Sequence, residues 1–232
     1  MNENDVITLI HDRLDEPIEI RCGQPTALYV ENADECYRLV GELLSQYSGG
    51  EGEFSVLRNG ELTTVNSAFE IVSDIFAMEL SDKKTVNSLY KELIAVAKDG
   101  DLLLLQSEIN GKIAQFYQSL FDRLSVPLTY EEPEPSDLIK IGNIKLSEDS
   151  NGLLEKTVDF INAVVALKNK SAFVFVHLKK YMSDNKIAEL YKHCELEKVG
   201  LLLIEGRSQY SKLKTENSVT ITEDLCELID IE

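Results

Sequence analysis

Hydrophobic positions change their spacing along this chain, and each change marks an element. EPIEIRCGQPTALYVEN reads as two short strands around Gly23–Pro25. Asn32 then opens a helix, with Glu35 three residues on as a capping-box partner. Cys36, Leu39, Val40, Leu43, Leu44 and Tyr47 share one face at helical spacing, and GGEG (49–52) ends the run. In FSVLRNGELTTV, Asn59–Gly60 between alternating residues predicts a two-residue hairpin. FEIVSD (69–74) has a mixed pattern that is read as another strand.

The middle of the chain is helical. Ser81 is the expected N-cap of a helix to about Lys98, closed by Gly100. A longer helix is predicted from Leu102 to Leu124. Its apolar positions, Leu102, Leu105, Ile109, Ile113, Phe116, Leu120 and Leu124, follow a near-heptad seam. Such a seam predicts packing along another long helix, from this chain or a partner, and an elongated helical hairpin. Asn110–Gly111 is the expected weak point.

Three prolines in VPLTYEEPEPSD break the pattern, and IKIGNIKL is read as extended. A helix follows from about Asn151 to Asn169. AFVFV and GLLLIE are continuous apolar runs that suit strands buried on both faces, and Ser183 caps a helix between them. Strand, helix, strand at this spacing is a βαβ unit, so the two strands are expected to be parallel. The tail VTITEDLCELIDIE supplies an edge strand. The predicted fold class is α/β: a head with a mostly parallel sheet and flanking helices (1–79 and 146–232), plus an inserted elongated helical leg (80–145).

With 232 residues, 44% of them hydrophobic, the chain can bury a real core. The start MNENDVITLIHDR has no basic segment and no long apolar run, so no signal peptide is expected. LLLL (102–105) is far short of a membrane span. The four cysteines form no CxxC pair. A cytoplasmic protein with reduced thiols is the simplest expectation.

Charge changes the picture. The formal net charge of -18 opposes nucleic-acid binding by the body as a whole, but it is unevenly spread. LKNKSAFVFVHLKKY (167–181) contains no acid and four lysines, Lys168, Lys170, Lys179 and Lys180, flanking one strand. Read alone, these are either solvated side chains or a local basic face.

Catalytic signatures are missing. There is no GxxxxGK[ST], no GxGxxG and no GxSxG, and His11, His177 and His193 have no metal-ligand spacing. His177, at the end of a strand, reads as a packed side chain. His193 and Cys194 are adjacent on a helix, so their side chains diverge by roughly 100° and form no dyad. One cluster suggests a ligand. YEEPEPSD brings Glu131, Glu132, Glu134 and Asp137 within seven residues, an oxygen set suited to calcium rather than magnesium, though without EF-hand spacing. A solvated acidic loop is the alternative.

Three stretches, LDEPIEIRCGQPTALYVEN (14–32), FEIVSDIFAMELSDKKTVNSLYKEL (69–93) and SAFVFVHLKKYMSDNKIAELYKHCELEKVGLLLIEGR (171–207), resemble in order and spacing the small DNA-end-binding protein of type II-A CRISPR systems. The resemblance covers nearly the whole chain from Leu14, with a few extra residues before it. It implies an α/β head that lacks a phosphate loop, a helical leg, and a homotetrameric ring with a positively charged hole. It further implies sequence-independent binding of double-stranded DNA ends, calcium-assisted, during spacer acquisition. No catalytic activity is implied, and the implied partners are the CRISPR integrase pair and the RNA-guided effector nuclease.

On that reading, inward lysines face DNA: Lys168, Lys170, Lys179 and Lys180 first, then Lys140 and Lys145. Roughly four per chain in four copies would allow on the order of a dozen phosphate contacts. Pro127 and Thr129 stand where the family has acids, which puts calcium dependence in doubt for this chain. Two other classes compete. One is a pure protein-interaction adaptor, and the other is a divergent nucleotide-handling enzyme on the same α/β body.

Overall fold

Two kinds of hydrophobic pattern build two kinds of sheet. The computed structural model describes residues 5–80, 82–124, 126–147, 151–206 and 212–230. Alternating residues form an antiparallel sheet in the order β2-β1-β4-β5, from β1 (Val6–Ile10), β2 (Ile18–Arg21), β4 (Ser55–Arg58) and β5 (Glu61–Thr63). Ile7, Leu9, Ile18, Ile20 and Val56 are buried, while Thr8, Glu19 and Arg21 between them are not. One-sided burial is what alternation dictates. β1 was not among the expected strands, although VITLI alternates. The hairpin is as expected: Arg58 pairs with Glu61, and Asn59 and Gly60 both take positive φ, 53° and 83°.

Continuous apolar runs form the second sheet, in the order β10-β9-β3-β8-β7-β6. Its strands are β3 (Thr26–Val30), β6 (Glu70–Val72), β7 (Ala172–Val176), β8 (Gly200–Glu205), β9 (Asn217–Ile221) and β10 (Glu227–Asp230). All are parallel except β10, which pairs antiparallel with β9 as an edge. β7 and β8 are parallel neighbours in register Ala172↔Gly200, as the βαβ reading requires. The two strands around Gly23–Pro25 do exist, but they belong to different sheets. Gly23 makes the crossing, with φ +69° and Glu195 Cα only 3.3 Å from where a Cβ would stand.

Helices cover both faces. Asn32 Oδ1 accepts the Glu35 N–H (3.0 Å) and starts α1 (Ala33–Tyr47). Leu39 and Leu43 of α1 join Leu28, Val30, Val174, Leu202 and Ile204 of the large sheet and Ile7, Leu9 and Ile20 of the small one in one buried cluster. Each such side chain contributes about 1.5–3 kcal/mol by leaving water. The short α2 (Val65–Ala68) leads into β6. On the opposite face, Phe160 of α6 (Leu153–Lys168) stands edge-on to Phe173, and Ile187, Leu190 and Cys194 of α7 (Asp184–Leu196) are buried.

The chain divides into two compact units, 1–79 with 148–232, and 80–147. The second unit departs from the sequence reading at several points. Ser81 lies outside the described residues, and Asp82 caps α3 (Lys83–Val96), its Oδ1 accepting the Thr85 N–H at 3.1 Å. Gly100 opens α4 (Gly100–Phe121) behind the N-cap Asp99 instead of closing α3. IKIGNIKL is helical at its start, because Pro135 sits at the first turn of α5 (Pro135–Ile141) with its φ already helical.

The expected helical hairpin is also replaced. α3 packs on α5. The extended segment 126–134 runs along α4, where Asn110 Nδ2 donates to Glu132 Oε1 (2.8 Å) and to the Pro133 carbonyl (3.1 Å), and Tyr130 meets Tyr117 at 5.1 Å. Asn110–Gly111 therefore does not break α4, since the Asn110 side chain is held. Among the described residues nothing covers the near-heptad seam: Leu102, Leu105, Ile109, Phe116 and Leu120 are all exposed.

Candidate nucleic-acid interface

The strand that carries the basic block is held by acids from elsewhere in the chain. Lys168 ends α6 and Lys170 precedes β7. Both Nζ atoms reach Glu70, the first residue of β6, at 2.8 and 2.9 Å. Lys170 also donates to the Phe69 carbonyl (2.9 Å), and Tyr47 Oη donates to Glu70 Oε2 (3.2 Å). Burial pushes the Glu70 carboxyl up, but hydrogen bonds from Lys168 and Lys170 outweigh it and hold the pKa below its ordinary value.

Lys179 is a correction to the list of DNA-facing residues. Its side chain is only 3% exposed. Nζ donates to Glu216 Oε1 and Oε2 (2.8 and 2.7 Å) and to Tyr29 Oη (2.5 Å). Tyr29 and Tyr191 hydroxyls in turn donate to the same carboxylate, at 2.7 and 2.5 Å. Burial raises both phenol pKa values, and the Glu216 charge raises them further. A buried ammonium needs a counter-ion beside it, which is why Glu216 sits in the core next to Lys179.

Glu205 ends β8 beside this network. Its Oε1 accepts the Lys179 N–H at 2.8 Å, and Oε2 has no hydrogen-bond partner among the described residues. Burial pushes its carboxyl up to about 7, against the pull of the Lys179 N–H. His177 sits at the turn in the left-handed region (φ 59°), its Nδ1 accepting the Gly206 N–H (3.4 Å). Burial and then Lys180 lower its pKa. The packed reading of His177 fits this place.

Lys180 differs from its three neighbours in sequence. It is exposed, with Nζ 5.5 Å from the Tyr181 ring centroid and no ion pair among the described residues. In the second unit Lys140 pairs with Asp137 at 3.4 Å on the surface, and Lys145 is exposed. The basic block is thus mostly internal charge compensation. Glu70, Glu205 and Glu216, with Tyr29 and Tyr191, were missed in the sequence. The readable signal was an acid abutting an apolar strand, in FEIV, GLLLIE and ENSVTI.

The proposed calcium ligands do not converge. Glu132 is turned to Asn110, and Asp137 Oδ2 accepts the Glu134 N–H (3.2 Å) in the first turn of α5. Glu131 is exposed. These residues do not fit a calcium ion as they stand. Among the described residues, the converging donor set is His11, Glu42 and Glu53, within 4.8 Å of one another. His11 Nδ1 accepts the Arg13 N–H (3.0 Å), so the ring proton sits on Nε2 and is donated to Glu42 (2.9 Å). That tautomer turns a proton, not a lone pair, to the two carboxylates.

A groove of about 660 Å³ lies beside α1 at the carboxyl ends of β3, β7 and β8, where α/β sheets hold ligands, lined by Val30, Cys36, Tyr37, Val40, His177 and Gly206. Only Glu31 and Asn32 separate β3 from α1. Asn32 caps the helix, and Asp34 and Glu35 fill its first turn. A phosphate loop has no residues to be made from, and the helix start is already negative. Burial also pushes the Cys194 thiol up to about 12.

An α/β head with no phosphate loop between β3 and α1, carrying a helical insertion whose apolar seam is exposed among the described residues, defines the class. A sequence profile described as CRISPR-associated protein (Cas_Csn2) matches residues 46–225, and the chain belongs to that family. It is 23% identical over 197 residues to the CRISPR-associated protein Csn2 of Enterococcus faecalis, covering 84% of this chain and 87% of that protein. It is 28% identical over 83 residues to the Csn2 of Streptococcus agalactiae, covering 36% and 38%. The crystal structure of Stu0660 of Streptococcus thermophilus shares the fold, with TM-score 0.52 and 15% identity over 97% of this chain and 75% of that one. Among the described residues no helix is long and apolar enough to cross a membrane.

Proposed function

We propose that the protein is a non-catalytic, sequence-independent binder of double-stranded DNA ends. It acts as a homotetrameric ring in the cytoplasm during CRISPR spacer acquisition, with the integrase pair and the RNA-guided effector nuclease as partners. Membership of the Csn2 family carries this reading. The uncovered seam of α4 supports the self-assembly part, because an apolar stripe of that length on one chain calls for a second.

Lys180, Lys140 and Lys145 are the phosphate contacts in this reading. Lys168 and Lys170 contribute only what Glu70 leaves of their charge. With few cations per chain, binding needs several copies around one duplex, which favours a ring over a monomer. Calcium is left out of this ring, since Glu132 is held by Asn110, Glu134 and Asp137 are held by the cap of α5, and Glu131 is turned to solvent. The pairing of three lysines inside the head favours a second reading, a protein-interaction adaptor that binds no DNA itself.

A gel shift separates them. Linear duplex and covalently closed circular DNA of one sequence are compared, each with calcium and with chelator, at two salt concentrations. Retention of linear DNA alone is expected, and it means entry through an end. Loss of that retention in chelator would restore calcium to the reading. Retention of neither DNA at low salt would leave the adaptor.

A further inference from the structure

Two aromatic rings stand exposed at the carboxyl edge of the large sheet, and their backbones are fixed from below. Phe76 lies in a 3₁₀ turn (Ile75–Ala77) after β6 and is 72% exposed, while Ile75 and Met78 on either side are buried. Asp74 Oδ1 accepts the Phe76 N–H at 2.9 Å. Tyr181 ends a second 3₁₀ turn (Leu178–Lys180) after β7 and is 45% exposed, between buried Leu178 and Met182. Its N–H donates to the Leu178 carbonyl (3.0 Å). β6 and β7 are parallel neighbours, in register Val72↔Phe175, so both turns leave the same edge. The rings meet edge to face, centroids 5.2 Å apart and planes at 79°.

Lys180, the one strand-flanking lysine not held by an acid among the described residues, lies over the Tyr181 ring. An exposed aromatic pair on a fixed backbone leaves a π-face in water that packing does not use. A cation beside it supplies the other half of what an unstacked nucleotide needs: a face for the base and a charge for the phosphate.

We propose that Phe76, Tyr181 and Lys180 form a stacking platform for an unpaired nucleotide at a DNA end, the base against the rings and its phosphate against the Lys180 ammonium. This rests on the DNA-end reading and narrows it, from any end to frayed or overhanging ends. Acidic neighbours such as Asp74 and Glu79 make charge a small part of the contact. The added affinity therefore comes from stacking and varies little with salt, unlike binding to the duplex itself.

The test is fluorescence anisotropy with full-length protein and three probes: a blunt duplex, the same duplex with a short single-stranded overhang, and that overhang made abasic. The overhang is expected to tighten binding about tenfold over blunt, and the abasic overhang to lose the gain. Phe76→Ala and Tyr181→Ala are expected to abolish the gain while leaving blunt affinity and melting temperature unchanged, and Tyr181→Phe to keep it. Blunt binding without an overhang gain overturns the platform alone. Failure to bind any probe overturns the DNA-end reading and the platform together. Equal loss on blunt and overhang probes, with a smaller assembly by light scattering, makes the rings a contact between copies and also overturns the platform.

Discussion

Lys179 and Glu216 form a buried ion pair, the ammonium within 2.8 Å of both carboxylate oxygens and the two side chains 3% and 0% exposed. Lys180, one residue on, is exposed and lies over a tyrosine ring. Two adjacent lysines therefore carry different roles, one structural and one available to a partner.

Removing the first is expected to cost stability. Lys179→Met leaves Glu216 buried without its cation, which costs about 3–5 kcal/mol. Urea unfolding reads this as a lower midpoint at unchanged slope. Lys180→Ala is expected to stay within about 0.5 kcal/mol of wild type and to flatten the salt dependence of DNA binding. If both variants lost stability equally, the division of roles would be wrong.

Glu205 gives a pH dependence in the neutral range. Its folded pKa of about 7 lies above the ordinary 4.5, so between those values the folded state holds more protons than the unfolded one. The contribution is full below 4.5 and is lost as pH rises through about 7. Its size is about 3 kcal/mol. Glu205→Gln keeps an oxygen for the Lys179 N–H and cannot ionise. Melting temperature should fall from about pH 5 to about pH 8 in wild type and stay nearly level in the variant.

Glu70 acts at the acid end with the opposite sign. Its folded pKa is depressed, so its contribution is present above the unfolded value near 4.5 and is lost as pH falls through the folded value. Acid unfolding of Glu70→Gln should show a smaller loss across that window than wild type. At neutral pH the variant should already be weaker by about 1–3 kcal/mol, because two lysines lose their shared carboxylate.

The α4 seam predicts self-association. Leu105 and Phe116 are eleven residues apart and share a helical face, and both are exposed. Leu105→Lys with Phe116→Lys should reduce the mass seen by light scattering and leave the secondary structure by circular dichroism unchanged. An unchanged assembly would remove this seam from the interface.

The sequence by itself determined most of the head. Period-two alternation, continuous apolar runs, the Asn32 cap and Asn59–Gly60 are local signals, and local signals survive into any fold that buries them. Tertiary structure decided what sits beside what. β2 and β3 are consecutive in sequence yet join different sheets. The seam of α4 looked like a partner for α3, but α3 packs on α5, the segment 126–134 holds α4 at Asn110 and Tyr117, and the seam residues are left exposed.

The site was less legible than the fold, for a reason of distance. Lys168 and Lys170 meet an acid about a hundred residues away, and Lys179 meets one 37 residues on. A charge count along a window treats those lysines as surplus. Whether a charge is available depends on what the folded chain brings within about 3 Å of it, because a buried ion is tolerable only beside its counter-ion. The sequence could name the lysines, but only the packing of β6, β8 and the residue before β9 against them could separate the three that hold the head together from the one that faces water.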